Sequence, residues 1–481
     1  MRELPEGWTK AEIGSLCSLE NGRAFKPTDW TTTGFPIVRI QNLNNPNASF
    51  NYFNQQVDER YFLRGGELLF AWSGTPGTSF GAHVWKGGEA VLNQHIFRVD
   101  LNYDLVEKRF FRFAINQKLN ELIGIAHGGV GLRHVTKGKF ESTEVVLPPI
   151  NEQKRIADRL DQLLTRIDKT KAHLDRIPPL LKRFRQSVLA AATSGKLTED
   201  WRETSTQLET ASELLIRVGN DIKKKSTKLT SKSTISDVLI KYREDSDLPT
   251  TWQITQVGNI CKNSFYGPRF GKDEYVAEGI PSIRTTDMTD KGDIQLKNPP
   301  MLNIPANKLD DFKLLPGDLL VTRSGSVGVM AIFKDSYLAV PSAYLIRFRF
   351  SELILIDYIF HYLRSPFGQK LMGLSSTAVT QTNINAEAIK NLPIPIPPIE
   401  EQQEIVRRVE ALFAKADRIE AQYKNARQQV DRLTPALLAK AFRGELVPQD
   451  PNDEPASVLL ERVKEARSAT QPAKAKRKTV K

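Results

Sequence analysis

The sequence predicts an α+β protein. Two mixed α/β globular domains are separated by a long antiparallel two-helix coiled coil, and the whole forms an internal repeat with pseudo-two-fold symmetry. Three observations predict this. The motif Leu147-Pro-Pro-Ile-Asn-Glu-Gln153 returns as Ile396-Pro-Pro-Ile-Glu-Glu-Gln402, an offset of 249 (396 minus 147). Each copy opens a run of apolar residues at heptad spacing. Each also follows a domain-length stretch, 4–146 or 248–395, in which short apolar runs alternate with Gly, Pro, Asn and Ser clusters.

The elements repeat in order. Leu4-Pro-Glu-Gly-Trp8 faces Leu248-Pro-Thr-Thr-Trp252, and Phe35-Pro-Ile-Val-Arg39 faces Ile280-Pro-Ser-Ile-Arg284. Gly66-Glu-Leu-Leu69 with Ser73-Gly74 faces Gly317-Asp-Leu-Leu320 with Ser324-Gly325. The runs at 66–72 and 345–350 read as strands, and 105–125 and 354–374 as helical stretches. A Pro-Pro pair then stops each head and a long amphipathic helix begins.

In the first helix the seam is Ile156, Leu160, Leu163, Ile167, Leu174 and Ile177, with Thr170 as a polar interruption. In the second it is Ile405, Val409, Leu412, Ala416, Ile419, Tyr423, Ala426, Val430 and Leu433. A sustained spacing near 3.5 residues predicts that the two helices pair with each other. Pro178-Pro179 predicts an end to the first helix, with a restart over 180–192, and Thr434-Pro435 an end to the second. The expected segments are a first head (1–147), a central helical region (148–222), a linker (223–247), a second head (248–396), a distal helical region (397–467) and a disordered basic tail (468–481). Connectivity makes the helix pair antiparallel, with a head at either end of a rod. Residues 151–177 would span ~40 Å at ~1.5 Å each, about one turn of B-DNA.

Composition narrows the function. With 68 Lys and Arg against 56 Asp and Glu, the 481-residue chain carries +12, which modestly favours a polyanionic partner. Apolar runs are too short for a membrane span, and residues 1–10 carry no signal-peptide pattern. Cys17 and Cys261 follow Leu4 and Leu248 at the same spacing, so they belong to separate domains and do not bond to each other. So few cysteines fit a reducing cytoplasm. The six histidines, His83, His95, His127 and His134 among them, show no metal-ligand spacing. Asn298-Pro-Pro-Met301 differs by one residue from the Asn-Pro-Pro-aromatic signature of adenine methyltransferases, but it lacks the stacking ring and reads as a turn. The glycine-rich 74–81 stretch lacks the Lys-Ser/Thr ending of a phosphate loop.

Two variable heads, each followed by a Pro-Pro-Ile-x-Glu-Gln helix start, resemble the specificity subunit of type I restriction-modification systems. The likeness runs from Leu4 to about Arg467. It includes the Pro-x-Ile-Arg and Gly-Asp/Glu-Leu-Leu motifs in each head, and Ala-Ser-x-Leu-Leu at 211–215 and 456–460. The linker at 226–236 is longer and more basic than the family pattern. The resemblance implies target-recognition domains, each reading half of a bipartite, asymmetric double-stranded DNA site, and no active site in this chain. It also implies two modification (methyltransferase) subunits carrying S-adenosylmethionine, and restriction subunits using ATP and Mg. Competing readings are a self-contained DNA methyltransferase or nuclease, and a DNA-bridging coiled coil without sequence preference.

Base readers should be polar residues on loops, because Arg grips guanine bidentately and Asn or Gln grips adenine. In the first head these are Arg39, Gln41, Asn42, Asn44, Ser73, Thr75, Arg133, His134 and Lys137. In the second they are Arg284, Thr286, Asp287, Arg323, Ser324, Ser326, Thr380, Gln381, Thr382 and Asn383. Arg39 and Arg284 follow strand-like runs at matching repeat positions, so a structural role competes for both. Arg23, Lys26, Arg269 and Lys272 suit phosphate contact, which positions without specifying.

Overall fold

Each head is closed by a ribbon that ties its start to its end. In the first, Thr9–Glu12 pairs antiparallel with Glu144–Leu147. In the second, Gln253–Gln256 pairs with Pro393–Ile396. The structure is a computed structural model that describes residues 3–45, 47–74, 80–124, 133–205, 209–223, 247–323, 328–374, 377–378 and 382–470. The expected linker at 226–236 and residues 471–481 of the expected tail lie outside them, whereas 468–470, expected as disordered, complete the helix Ala456–Thr470.

Inside the ribbon, both heads repeat one antiparallel sheet. Its strand order is Cys17–Asn21, Ile96–Leu101, Leu68–Ala71, Gly81–Val84 in the first head, and Cys261–Tyr266, Leu345–Phe350, Asp318–Thr322, Met330–Phe333 in the second. The third strand of each is buried at every position, Leu68–Ala71 as an unbroken apolar run and Asp318–Thr322 with Leu-Leu-Val at its centre. A second sheet in each head contains a parallel pair, Phe35–Val38 with Ala90–Leu92 and Ile280–Ile283 with Val340–Pro341. The expected helical stretches each consist of two helices, Lys108–Gln117 and Leu119–Gly124, then Ile356–Arg364 and Pro366–Leu374. Phe110 and Phe111 from the first head and Tyr358 and Tyr362 from the second are fully buried in the two cores.

The long helices that follow the heads, the stem helices, are Ile150–Leu174 and Ile177–Thr193 from the first copy and Ile399–Ala441 from the second. The chain forms two compact units, Met1–Leu174 with Asn425–Lys481, and Asp175–Lys424. The sequence segments 148–222 and 397–467 are therefore each divided, because a stem helix finds its packing partner in the other copy. Within the first unit, Lys171 pairs with Asp431 at 3.1 Å, while Leu160 shares a core with Leu437, Leu438 and Ala441. Within the second, Arg185 pairs with Asp417 and Glu420 at 2.7 and 2.8 Å, while Leu189 shares a core with Val409 and Phe413. Rising numbers on one helix meet falling numbers on the other in both units, so the pairing is antiparallel. The Ala-Ser-x-Leu-Leu pieces begin the helices Ala211–Lys223 and Ala456–Thr470, each docked on its unit's core through Leu214 and Val218, or Ala456, Leu459 and Leu460.

The structure corrects three details of the stem. The first helix ends at Leu174, and Pro178-Pro179 occupy the first turn of the next helix, where a missing N–H leaves no hydrogen bond unmade. Pro435 does not end the second helix, which continues to Ala441. Its position is exposed, so water can serve the carbonyl that its ring deprives of a partner. Ile419 and Leu433, each 46% exposed, lie off the seam; beside Ile419, Arg185 of the facing helix pairs with Asp417 and Glu420. Ile156, Leu160, Ile167, Ile405 and Val409 are buried, while Leu163, Leu174, Leu412 and Tyr423 are half-buried. Ile156 and Leu160 pack against Phe110 and Phe111 of the head as well as the partner helix. Each such side chain contributes ~1.5–3 kcal/mol when fully buried.

The repeated Glu-Gln has a structural role in both units. The Trp8 indole donates to Glu152 at 2.9 Å and the Trp252 indole to Glu401 at 2.8 Å, all four side chains being buried. Gln153 accepts the Glu107 N–H at 2.9 Å, and Gln402 accepts the Leu355 N–H at 3.1 Å, at the start of the buried head helix in each case. The amide of each glutamine donates to the carbonyl of the first proline of its own motif, Pro148 or Pro397.

The two glutamates differ in charge balance. Glu401 accepts from Thr198 at 2.7 Å and pairs with Arg202 at 2.5 Å. Glu152 has one oxygen, Oε1, buried without a hydrogen-bond partner among the described residues, and burial raises its carboxyl above the usual carboxylate range. Folding therefore favours protonated Glu152, and that stability is lost as pH rises from the ordinary carboxylate range through the raised value. Glu152→Gln is expected to leave the protein as stable at pH 7 as the parent, or more so, with the gap closing at acid pH. Glu401→Gln strands Arg202 and is expected to cost on the order of 3 kcal/mol. Thermal unfolding of both variants at pH 4.5 and 7 checks this; equal losses for the two would contradict it.

Candidate nucleic-acid interface

The second head carries a cleft of about 840 Å³ on the same side as the parallel strand pair. Gly267 makes its first wall possible, since a Cβ there would lie 1.9 Å from the Ser342 carbonyl oxygen and only glycine lets the two backbones touch. Five expected residues line the cleft: Arg269, Arg284, Thr286, Arg323 and Asn383. The Arg323 guanidinium lies 4.8 Å over the Tyr266 ring, and no acidic side chain pairs with Arg269 or Arg323 among the described residues. Tyr275 and Tyr344, 49% and 64% exposed, line the same cleft. Two uncompensated guanidinium groups and exposed rings around a groove suit a nucleic-acid strand, offering charge to phosphate and flat faces to bases.

Arg284 is held differently. Its backbone N–H and guanidinium both donate to Asp287, and its guanidinium also donates to the Lys297 and Asn298 carbonyls. Asp287 is 1% exposed, takes the Lys297 N–H as well, and is held below the usual carboxylate range by those bonds against the opposing effect of burial. Asp287 is therefore a turn staple, not a base reader. The matching Asn42 is 6% exposed, accepts the Arg39 N–H at 3.1 Å and donates to the Ala48 and Ser49 carbonyls, which likewise removes it from the reading surface. Polarity alone suggested both as readers, but burial with every bond made internally decides against it. Asn298, φ 48°, makes the Asn-Pro-Pro segment a left-handed turn.

In the first head, the equivalent surface gathers rings. Trp72 lies 5.3 Å from His95 and 5.8 Å from His134. Ser73, also expected as a reader, is buried and bonds His134 Nδ1 at 2.8 Å, so it orients the imidazole and does not face solvent. Burial holds His95 below the ordinary imidazole range, with His134 adding to the effect. Nearby, the Arg23 guanidinium packs over Phe53 at 4.8 Å and Arg39 over Trp30 at 5.2 Å. Lys26, Gln41 and Asn44 are exposed, whereas Lys137 donates to the Leu19 carbonyl. Thr75, Ser324, Ser326, Thr380 and Gln381, and the side chains of Arg133, Lys272 and Thr382, lie outside the described residues.

Trp72, His95, Tyr275 and Tyr344 fall outside the residues expected from the sequence, which are almost all non-aromatic polar side chains. Aromatic residues beside turns were the available signal. Among the described residues no group of three His, Cys, Asp or Glu side chains could hold a metal, and no helix is long and apolar enough to cross a membrane.

The family model described as the type I restriction modification DNA specificity domain matches residues 5–178 and again 249–427, one match per repeat. The chain is 32% identical to the EcoBI specificity subunit of Escherichia coli, with 99% of this chain and 95% of that one covered. It is 30% identical to the EcoKI specificity subunit of Escherichia coli strain K12, with 99% of each covered. Two solved structures share the fold. A chain of a type I R-M system, at 19% identity, superposes with a TM-score of 0.67 over 92% of this chain and all of that one. The HsdS subunit of Thermoanaerobacter tengcongensis, at 18% identity, gives 0.52 over 92% and 98%. Two family domains in tandem, together matching more than half of the chain, and relatives of 30% and 32% identity covered almost end to end make this chain a member of the family of type I restriction–modification DNA specificity subunits.

Proposed function

We propose that this chain is a non-catalytic subunit in which each head reads one half of a bipartite, asymmetric double-stranded DNA site. The second head's cleft supports this best, because uncompensated Arg269 and Arg323 beside exposed tyrosines offer both phosphate and base contacts. Arg23, Lys26 and Arg269 are assigned to phosphate. Two methyltransferase subunits dock on the stem and bring S-adenosylmethionine, while restriction subunits bring ATP and Mg. The assembly works in the cytoplasm.

Leu180 and Phe184, four residues apart on one stem helix and 58% and 39% exposed, support the docking. Apolar residues this open on a helix fit an interface with another subunit.

Replacing residues 9–146 with another family member's head should change one half of the methylated site and leave the other intact. Mapping methylated adenines in a host genome reads this directly, and simultaneous change of both halves would contradict the two-reader model. Leu180→Asp combined with Phe184→Asp should weaken capture of the methyltransferase subunits by roughly tenfold or more, with little change in unfolding temperature. Undiminished capture in a pull-down would place the docking surface elsewhere.

A further inference from the structure

We infer that three positions determine the specificity of each head: Trp72, His95 and His134 in the first, Arg323, Tyr344 and Asn383 in the second, with Arg323 selecting guanine. This rests on the proposal that the heads read DNA.

The correspondence is set by backbone geometry. Trp72 N–H donates to the His95 carbonyl at 3.2 Å, and Arg323 N–H to the Tyr344 carbonyl at 3.0 Å. Val135 N–H donates to the Trp72 carbonyl, and Ile384 N–H to the Arg323 carbonyl, both at 2.9 Å. The surrounding frame repeats as well. Gly22 and Gly267 donate to the Ile96 and Leu345 carbonyls, and Asn93 and Ser342 to the Val38 and Ile283 carbonyls. One scaffold is thus built twice.

Within that scaffold, two kinds of position separate. The buried apolar pairs Val38 and Ile283, Ile96 and Leu345, and Val135 and Ile384 keep their class. The three named positions exchange indole for guanidinium, imidazole for phenol and imidazole for carboxamide, and His134, Tyr344 and Asn383 are exposed. Core positions are held by packing, whereas a reader of a different base sequence must change its hydrogen-bonding and stacking chemistry. The three positions thus change chemistry on a frame whose backbone bonds repeat, as sites that a reader would occupy must. Of the six, Arg323 has the most specific chemistry. Its fork matches guanine O6 and N7, and the Tyr266 ring beneath it holds the plane in place.

The test uses the full chain in complex with its methyltransferase subunits, with methylated adenines mapped genome-wide for Arg323→Ala, Arg323→Lys and His134→Ala. Lysine keeps the charge but loses the fork. Both Arg323 variants should relax a single base pair of one half-site, with discrimination falling roughly 5- to 150-fold. His134→Ala should relax the other half-site only. Parental discrimination in Arg323→Lys would make Arg323 a phosphate contact and overturn the assignment, as would unchanged sites in Arg323→Ala. Equal loss at both half-sites, tracking a lowered unfolding temperature, would make these positions structural and also overturn it. A parental complex that methylates without sequence preference would instead overturn the underlying proposal.

Discussion

The structure depends on a buried carboxyl group and carboxamide at the first turn of each stem helix. Glu152 and Glu401 each hold a tryptophan from the start of the head, and Gln153 and Gln402 each hold the N–H that begins the head's central helix. Three segments distant in sequence are thereby fixed to one helix end. A helix N-terminus favours negative charge, which reduces the cost of burying each glutamate. Because these hydrogen bonds are internal and short, the head cannot tilt on its helix without exposing or stranding a polar group. A reader and its support thus move as one body within each unit.

Away from the heads the stem changes character. Its apolar contacts concentrate near the head cores, where Ile156, Leu160, Ile405 and Val409 are fully buried. Farther along, Lys171 with Asp431 and Arg185 with Asp417 and Glu420 connect the helices. Partly exposed ion pairs contribute little net stability but favour one register, since a shifted pairing would set like charges together. The division suits a stem that needs a defined register as well as adhesion, and it leaves Leu180 and Phe184 open to a partner.

The heads separate scaffold from reading surface in the same way. Paired sheets, a glycine contact and a shared pattern of backbone bonds recur in both, while the side chains at the cleft differ in chemistry. Asn42 and Asp287 show how the scaffold can look like a reader, since both are polar and next to a turn. Their bonds all point inward, where each closes the loop that carries an arginine.

The repeat, the fold class and the antiparallel helix pair were legible in the sequence because each depends on local pattern: an offset of motifs, a heptad spacing, a chain that must turn back. Pro178-Pro179 and Pro435 were less legible, because a proline's effect depends on whether it falls in a helix's first turn and, inside a helix, on whether the carbonyl it deprives meets water. Ile419 likewise followed the heptad but is exposed, beside the ion pairs that Arg185 of the facing helix makes. The reading surface was half legible. Arg269, Arg323 and Asn383 were accessible to an argument from hydrogen bonding, but their convergence with Tyr275 and Tyr344 joins segments more than a hundred residues apart. Sequence determined which chemistry was available. Only the tertiary structure decided which polar groups were satisfied inside the protein and which were left facing outward, because that depends on neighbours brought together by folding.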